Sequence, residues 1–235
     1  MKNRKFLKKG ASHVEVIMSF VIFIGFFVFL FSIFNPLKIP TDNEAYLSIA
    51  ERGIKDFSLI KVYFITIDVK NFNKDCFYFD YDGLSRIIVK DKDERIVEAY
   101  NDKNIIKINS GKGFYYIYSN EIFKENKFPD ADCKELKGAD FEFGLFRSYD
   151  MVSNKTLFDF EKKYNSDYEE LKKEINFPAS REFSFSVKTF DGQSIADGEK
   201  EVPATAGVLA KNIPVQVVFE NGDIKYCALN IKIWG

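Results

Sequence analysis

The sequence predicts an α+β protein, in which an N-terminal transmembrane α-helix precedes a mostly antiparallel β domain with one or two further helices. Residues 16–34 carry no charge. After residue 57, short runs of β-branched and aromatic residues alternate with turn-forming residues, a pattern typical of antiparallel sheets. The dipeptide Asn221-Gly222 separates two such runs, and Asn-Gly is a strong hairpin signal.

Composition excludes several classes of protein. The 235 residues include 34 basic and 35 acidic groups and are 46% hydrophobic, which argues against a disordered tail, a multi-span transporter and a basic nucleic-acid binder. His13 is the single histidine, so a Ser-His-Asp, Cys-His or histidine-zinc site is not expected. No phosphate-binding loop, dinucleotide-binding or zinc pattern occurs. We therefore expect no enzyme activity, cofactor, metal site or nucleic-acid partner.

The uncharged stretch 16–34 fits one membrane span. Its 19 residues form about 28 Å of helix, close to the roughly 30 Å hydrocarbon core. The first nine residues contain five basic side chains and no acid, which places the N-terminus in the cytoplasm and the rest of the chain outside. A removable secretory signal fits less well, because the apolar run is long and the bulky residues 32–36 offer no small-residue cleavage site.

The junction before this span carries the most specific motif, Lys8-Lys9-Gly10-Ala11-Ser12-His13-Val14-Glu15. It resembles the leader of type IV pilin-like proteins, in particular the class III signal peptide of archaeal pilins and archaellins. The resemblance covers residues 8–34 and implies that a membrane-embedded prepilin peptidase cuts after Gly10 and leaves Ala11 as the new N-terminus. It divides this part of the chain into a leader, 1–10, and an assembly helix, 11–35. Lys8 and Lys9 supply the positive charge of the leader. His13 departs from the family, which usually has an apolar or small residue there.

Two interpretations of Glu15 remain open. In the family, the acidic residue at the fifth mature position pairs with the α-amino group of a neighbouring subunit and sets the register between helices. Alternatively, Ser12 and Glu15 form a capping box at the start of an ordinary helix.

The span also carries a phenylalanine stripe. Its members recur at steps of three and four, and are Phe20, Phe23, Phe27, Phe31 and Phe34. On a helix they would pack against neighbouring helices in a filament or face lipid, and the spacing is compatible with both.

Pro36 and Pro40 end the span. A linker helix over 36–56 is predicted after them, with its start signal at residues 41–44. In bacterial-type pilins this stretch is one continuous helix, so the proline break is a second departure from the resemblance.

Two extracellular regions are predicted beyond the linker. Residues 57–150 form an antiparallel β region, although about 121–165 is less regular. Residues 151–235 contain a helix over 167–175 and a C-terminal β-hairpin. A two-residue turn at Asn221-Gly222 would pair Phe219 with Ile224 and Val217 with Tyr226.

Exported cysteines and a sequon add candidate sites. Cys76 and Cys133 are suited to a disulfide outside the cell, whereas Cys227 lies in an apolar strand and is expected to be a buried thiol. Asn154-Lys155-Thr156 is an N-glycosylation acceptor. Acidic turns such as 80–83 and 91–94 lack the ligand spacing of a calcium loop and read as solvated turns.

Together these features predict a pilin-like cell-surface subunit, a minor pilin or pseudopilin, that assembles through its apolar helix and serves adhesion or surface recognition. Its expected partners are the prepilin peptidase, other pilin-like subunits with their assembly machinery, and membrane lipid; the surface ligand is unknown. The alternative is an uncleaved single-span protein whose outward β domain binds a ligand as a monomer. N-terminal processing would leave 29 basic against 35 acidic groups, so the mature chain would be acidic.

Overall fold

The computed structural model describes residues 8–34, 42–124, 128 and 132–235. For residues 8–12, 32–34 and 42–43 it describes the backbone alone. The chain divides into two compact units, Met1–Thr41 and Asp42–Gly235, which we call the N-terminal unit and the C-terminal unit. Most of the predicted leader and the proline break lie outside the described residues.

The N-terminal unit contains one helix, α1 (Lys8–Phe34), within its described part. Residues His13–Phe31 of α1 have a mean hydropathy of 2.7 and are long and apolar enough to cross a membrane. The helix begins four residues before Ser12, so Ser12 and Glu15 do not cap its start. The capping-box interpretation of Glu15 is therefore wrong for the uncleaved chain.

The described part of the C-terminal unit contains three helices and thirteen strands. The helices are α2 (Asp42–Ser58), α3 (Asn154–Ser166) and α4 (Tyr168–Glu174). The strands are β1 (Leu59–Val69), β2 (Phe77–Asp80), β3 (Ile87–Asp91), β4 (Ile96–Val97), β5 (Ala99–Asp102), β6 (Ile105–Ile108), β7 (Gly113–Ser119), β8 (Lys134–Glu135), β9 (Phe141–Ser153), β10 (Glu182–Thr189), β11 (Ser194–Gly198), β12 (Leu209–Val218) and β13 (Ile224–Trp234). The sequence prediction of an α+β chain, with an apolar N-terminal helix before a largely antiparallel β unit, is confirmed.

The strands form two sheets. The larger has nine strands in the order β11-β10-β13-β12-β9-β1-β7-β3-β4, and the smaller has four in the order β5-β6-β2-β8. Neighbouring strands are antiparallel except for two short parallel pairs, β12 with β9 and β2 with β8. Strand β1 lies between β9 and β7. Both of its faces are apolar because Ile65 and Ile67 enter one buried cluster and Val62 enters another on the opposite face.

Different elements cover the two halves of one face of the large sheet. Helices α2, α3 and α4 cover the β10–β13 half and enclose a core that includes Leu47, Phe160, Leu171 and Phe183. The small sheet covers the β1-β7-β3 half and encloses a second core. A third, smaller cluster lies on the opposite face of the large sheet. Its strand residues Ile88 and Val218 are adjacent in sequence to residues of the other two cores, and successive side chains of a strand point to opposite faces.

Part of the predicted layout is wrong. The stretch 121–165 contains β9 and α3, which the sequence analysis did not predict, and the predicted helix 167–175 is α4, a short continuation after α3. The regions 57–150 and 151–235 are not separated, because β9 spans their boundary and pairs with both β1 and β12. The predicted linker helix corresponds to α2, which packs into the core of the C-terminal unit through Leu47, Ala50 and Ile54.

The C-terminal hairpin exists, but its predicted register is wrong by one residue. Val217 pairs with Lys225 rather than Tyr226, and Ile224 does not pair with Phe219. Cross-strand partners lie on the same face, so the observed register places buried residues of both strands on the helix-covered face. These residues are Ile213, Val215, Val217, Cys227, Leu229 and Ile231.

The length of the loop explains the register. The Phe219 amide donates to the carbonyl of Asp223, and the Gly222 amide donates to the carbonyl of Phe219, which closes a three-residue loop over 220–222. Gly222 has a φ of 81°, as expected for the left-handed residue of a three-residue hairpin loop. The Asn-Gly signal thus located the turn correctly, but the loop contains one residue more than predicted.

Candidate functional site

The predicted processing junction lies in the first turn of α1. Lys8, Lys9, Gly10 and Ala11 are the first four residues of the helix, and their side chains are outside the described set. The first four amides of an α-helix lack intrahelical acceptors, so this turn is less constrained than the middle of α1. Glu15 follows one turn after Ala11 and is exposed. Residues four apart lie on one helix face, so Glu15 and an α-amino group at Ala11 would share that face.

The phenylalanine stripe is present on α1 and is uncovered. The rings of Phe23 and Phe27 are 4.8 Å apart, and those of Phe27 and Phe31 are 6.3 Å apart. Phe20 is exposed on the same helix, and the Phe34 side chain is outside the described set. The 18-residue window that marks the span has no buried residue. Such a helix needs an apolar surrounding, which lipid or other helices can supply.

Cys76 and Cys133 form a disulfide at the edge of the small sheet, with their Cα atoms 4.6 Å apart. The Lys134 amide donates to the carbonyl of Cys76, so the bond fastens the start of β8 beside β2. Cys227 is a free thiol buried in the core, and this burial raises the pKa of the Cys227 thiol.

The glycosylation acceptor lies at the start of α3. Asn154 is the first residue of this helix, and its amide oxygen is buried without a hydrogen-bond partner. The hydroxyl of Thr156 donates to the carbonyls of Ser58 and Ser153. A glycan on the folded chain would therefore require this turn to open.

The acidic turns do not gather into a metal site. Within the residues that the structure describes, no group of three or more histidine, cysteine or carboxylate side chains could hold a metal ion. One oxygen of Asp91 accepts hydrogen bonds from the amides of Asp93 and Arg95, so this carboxylate organises its own turn.

A cleft of about 590 Å³ lies beside the edge strand β5. The side chains that give it charge or an aromatic surface are Arg86, Tyr100, Lys103, Glu121 and Lys155. They come from the loop before β3, from β5 and the turn after it, from the loop after β7, and from α3. The volume is within the range of small-molecule sites.

The Arg86 guanidinium is held in place at the wall of this cleft. One of its nitrogens lies 3.3 Å from the carbonyl oxygen of Glu121 and 3.4 Å from that of Phe123. Arg86 thereby joins the loop before β3 to the loop after β7.

Two lysines line the cleft with exposed side chains. Among the described residues, no hydrogen-bond or ion-pair partner is found for the ammonium groups of Lys103 and Lys155, and both side chains are exposed. Lys103 lies in the two-residue turn between β5 and β6 and has a left-handed φ of 62°. Lys155 is the second residue of α3, and its amide donates to the cap hydroxyl of Ser153.

This cleft is not predictable from local sequence patterns, because its residues are distributed over some 70 positions and belong to four separate segments. One local signal was available. A lysine in a tight hairpin turn, where Gly or Asn is usual, marks residue 103 as unusual.

The fold and these surfaces define a class, an α+β protein whose apolar N-terminal helix is long enough to cross a membrane. No family model, curated protein or solved structure matches the chain.

Proposed function

We propose that the chain is a pilin-like cell-surface subunit, a minor pilin or pseudopilin, that is cleaved after Gly10 and assembles through α1. Its C-terminal unit would face the outside and serve adhesion or surface recognition without catalytic turnover. The partners would be a prepilin peptidase, other pilin-like subunits with their assembly machinery, and membrane lipid. The observation that carries the proposal is the order of features at the N-terminus: two lysines, Gly10, Ala11, Glu15 and then an uncovered apolar helix.

The lack of burial on α1 supports a role for this helix in assembly or anchoring. The helix is apolar on all sides, and none of its described side chains, at residues 13–31, is buried; the phenylalanine rings of the stripe contact only one another. A helix that is apolar all round is stable only when lipid or protein surrounds it.

The position of Glu15 supports assembly in particular. Glu15 is the one acidic residue of α1 and does not lie in its first turn. A carboxylate drawn to the middle of a membrane costs on the order of 2.5–3.5 kcal/mol unless it is paired. The α-amino group of a neighbouring cleaved subunit would provide that pairing, which an uncleaved chain beginning at Met1 could not provide in the same place.

Mass spectrometry of the N-terminus of the native protein tests the processing step. We expect a mature chain that begins at Ala11. A Gly10→Val variant should retain the leader, because a bulky residue next to the scissile bond restricts access to the backbone. A native chain that begins at Met1 would contradict the proposal and favour the alternative, an uncleaved single-span protein that binds its ligand as a monomer.

Assembly is tested with Glu15→Gln, which removes the charge but keeps the shape. We expect this variant to be cleaved normally and to lose incorporation into filaments, as scored by electron microscopy of sheared cell-surface material. Glu44→Gln, in the exposed part of α2, is the matched control and should leave incorporation unchanged. Normal incorporation of the Glu15 variant would remove the pairing role, even if cleavage after Gly10 occurs.

A further inference from the structure

We propose that the cleft beside β5 is a binding site for an acidic sugar, in which Lys103 and Lys155 bind the carboxylate of a uronic-acid-type residue. The inference adds a ligand class to the recognition role in the proposed function, but it requires neither cleavage nor filament assembly.

Charge is the first argument. The C-terminal unit has 28 basic and 34 acidic residues and is therefore acidic as a whole. The lining of the cleft has the opposite balance even when Arg86, which is engaged by neighbouring groups, is set aside, because Lys103 and Lys155 then face only Glu121. A concave site lined mainly by one sign of charge raises the local concentration of ligands of the other sign.

The two lysines also occupy positions that local stability disfavours. A non-glycine residue at a φ of 62° is strained, and Asn or Gly adopts this conformation more readily than Lys103 does. Lys155 places its charge at the N-terminal end of α3, where the helix dipole favours acidic residues. Residues that break local rules without a compensating contact are expected mainly at functional sites.

The remaining lining selects the kind of anion. The Glu121 carboxylate repels a phosphate dianion more strongly than a singly charged carboxylate, and it can accept hydrogen bonds from hydroxyl groups. Tyr100 adds an aromatic ring to the lining, of the kind that a sugar ring can contact. A ligand with both a carboxylate and several hydroxyls satisfies this mixture better than a simple anion does. A nucleic acid fits poorly, because its binding depends on many phosphate contacts and the unit as a whole is acidic.

The test is calorimetric titration of the full chain, purified in a zwitterionic detergent without a sugar headgroup. The probes are a trimer of galacturonic acid, the neutral galactose trimer, inorganic phosphate and a short single-stranded DNA. We expect the acidic trimer to bind, to weaken with added salt because exposed charges are screened, and to bind at least tenfold more tightly than the other three probes.

Three lysine variants locate the site. Lys103→Asn and Lys155→Gln should each weaken binding of the acidic trimer about tenfold, the effect of one lost charge-assisted hydrogen bond. Neither should lower the melting temperature, because each change relieves a local conflict in the fold. Lys162→Gln is the matched control, since Lys162 is an exposed lysine on α3 that does not line the cleft.

Several results would overturn the inference. These are absence of binding at millimolar acidic trimer, equal binding of the galactose trimer or phosphate, preferred binding of DNA, and an equal loss in the Lys162 variant. None of them bears on cleavage after Gly10, so failure here and failure of the proposed function are separately visible.

Discussion

Single charged residues determine how the C-terminal unit responds to pH. The buried Lys172 ammonium lies 3.1 Å from the carbonyl oxygen of Ala179 and 3.2 Å from the carboxylate of Glu182, which also binds Lys200. Burial alone would raise the pKa of Glu182, but the neighbouring Tyr168 hydroxyl and the hydrogen bonds from Lys200 and Lys172 outweigh it and lower that pKa. The pairing therefore stabilises the folded chain at neutral pH, and its contribution is lost as the pH falls through this lowered pKa.

The pKa of Glu161 is shifted in the opposite direction from that of Glu182. Burial and a hydrogen bond shared with the carboxyl of Asp197 raise the pKa of Glu161, so the ionised group disfavours the folded state at neutral pH. We predict that Glu161→Gln increases the free energy of unfolding at pH 7 by a few tenths of a kcal/mol, a small effect because the group is partly solvated. Because wild-type Glu161 takes up a proton as the pH falls, the gain should disappear near pH 4.

Thermal unfolding of both chains at pH 7 and pH 4 measures this difference. Glu182→Gln is the opposite control, and should be less stable than the wild type at pH 7. A Glu161 variant whose effect is independent of pH would show that the carboxyl pair does not set the raised pKa.

Among the elements, β8 depends most on a covalent bond. It is a two-residue strand at the edge of the small sheet, and the Cys76–Cys133 disulfide closes a separation of 57 residues beside it. Two backbone pairs would hold such a strand weakly by themselves. The disulfide therefore holds β8 beside β2, where two backbone pairs alone would bind it weakly.

We predict that Cys76→Ser lowers the free energy of unfolding by about 2–4 kcal/mol, since an unbridged loop of this size gains entropy on unfolding. Cys133→Ser should cost the same, and the double variant little more, because both remove one bond. After free thiols are blocked, the mass should increase on reduction and alkylation. An unchanged mass would show that the bond does not form in the native protein.

The C-terminal hairpin depends on the absence of a side chain at one position. A Cβ atom at Gly222 would lie 2.6 Å from Cγ2 of Ile88, and Gly222 has a left-handed φ. Gly192 has a φ of 90° in the next hairpin along the sheet, but a Cβ there would meet nothing within 4 Å. The two glycines therefore separate backbone strain from steric contact.

We predict that Gly192→Ala costs about 1 kcal/mol of unfolding free energy from backbone strain alone. Gly222→Ala should cost about 1–3 kcal/mol more, since Ile88 must also move. Chemical denaturation of both variants measures the difference. Equal losses would mean that Ile88 accommodates the added methyl group without strain.

At the scale of the whole molecule, the two units have different requirements. The hydrophobic cores of the C-terminal unit are built from residues of that unit, from Tyr46 onward. Nearly all of the apolar side chains that the structure describes on α1 are exposed. We infer that the C-terminal unit folds without α1, whereas α1 needs lipid or other copies of an apolar helix.

We predict that a chain of residues 42–235 is a soluble monomer that unfolds in a single transition, at the melting temperature of the full chain in detergent. Its acidic net charge favours solubility. Size-exclusion chromatography with light scattering and thermal unfolding measure these properties. An aggregated fragment, or one that melts well below the full chain, would show that α1 supports the fold.

The features that depend on local pattern were predictable from the amino-acid sequence alone. An uncharged stretch of 19 residues sufficed for α1, and short β-branched runs sufficed for most strands, because periodicity and length are local properties. Helix α3 was missed although Leu157, Phe160 and Tyr164 have helical spacing, since polar residues dominate the segment. Strand β9 was also missed, although Phe141, Phe143 and Leu145 alternate with Glu142 and Gly144, and most of its residues are exposed in the structure.

The contacts between distant segments became visible only in the three-dimensional structure. The hairpin register depended on one extra loop residue, which no pattern of hydrophobicity reports. The sharing of one sheet by the two predicted regions depended on which strands pair with β9. The cleft depended on four distant segments that converge beside β5, so that Lys103 and Lys155 line the same cavity. Contacts between distant residues follow from packing, and a single sequence records packing only indirectly.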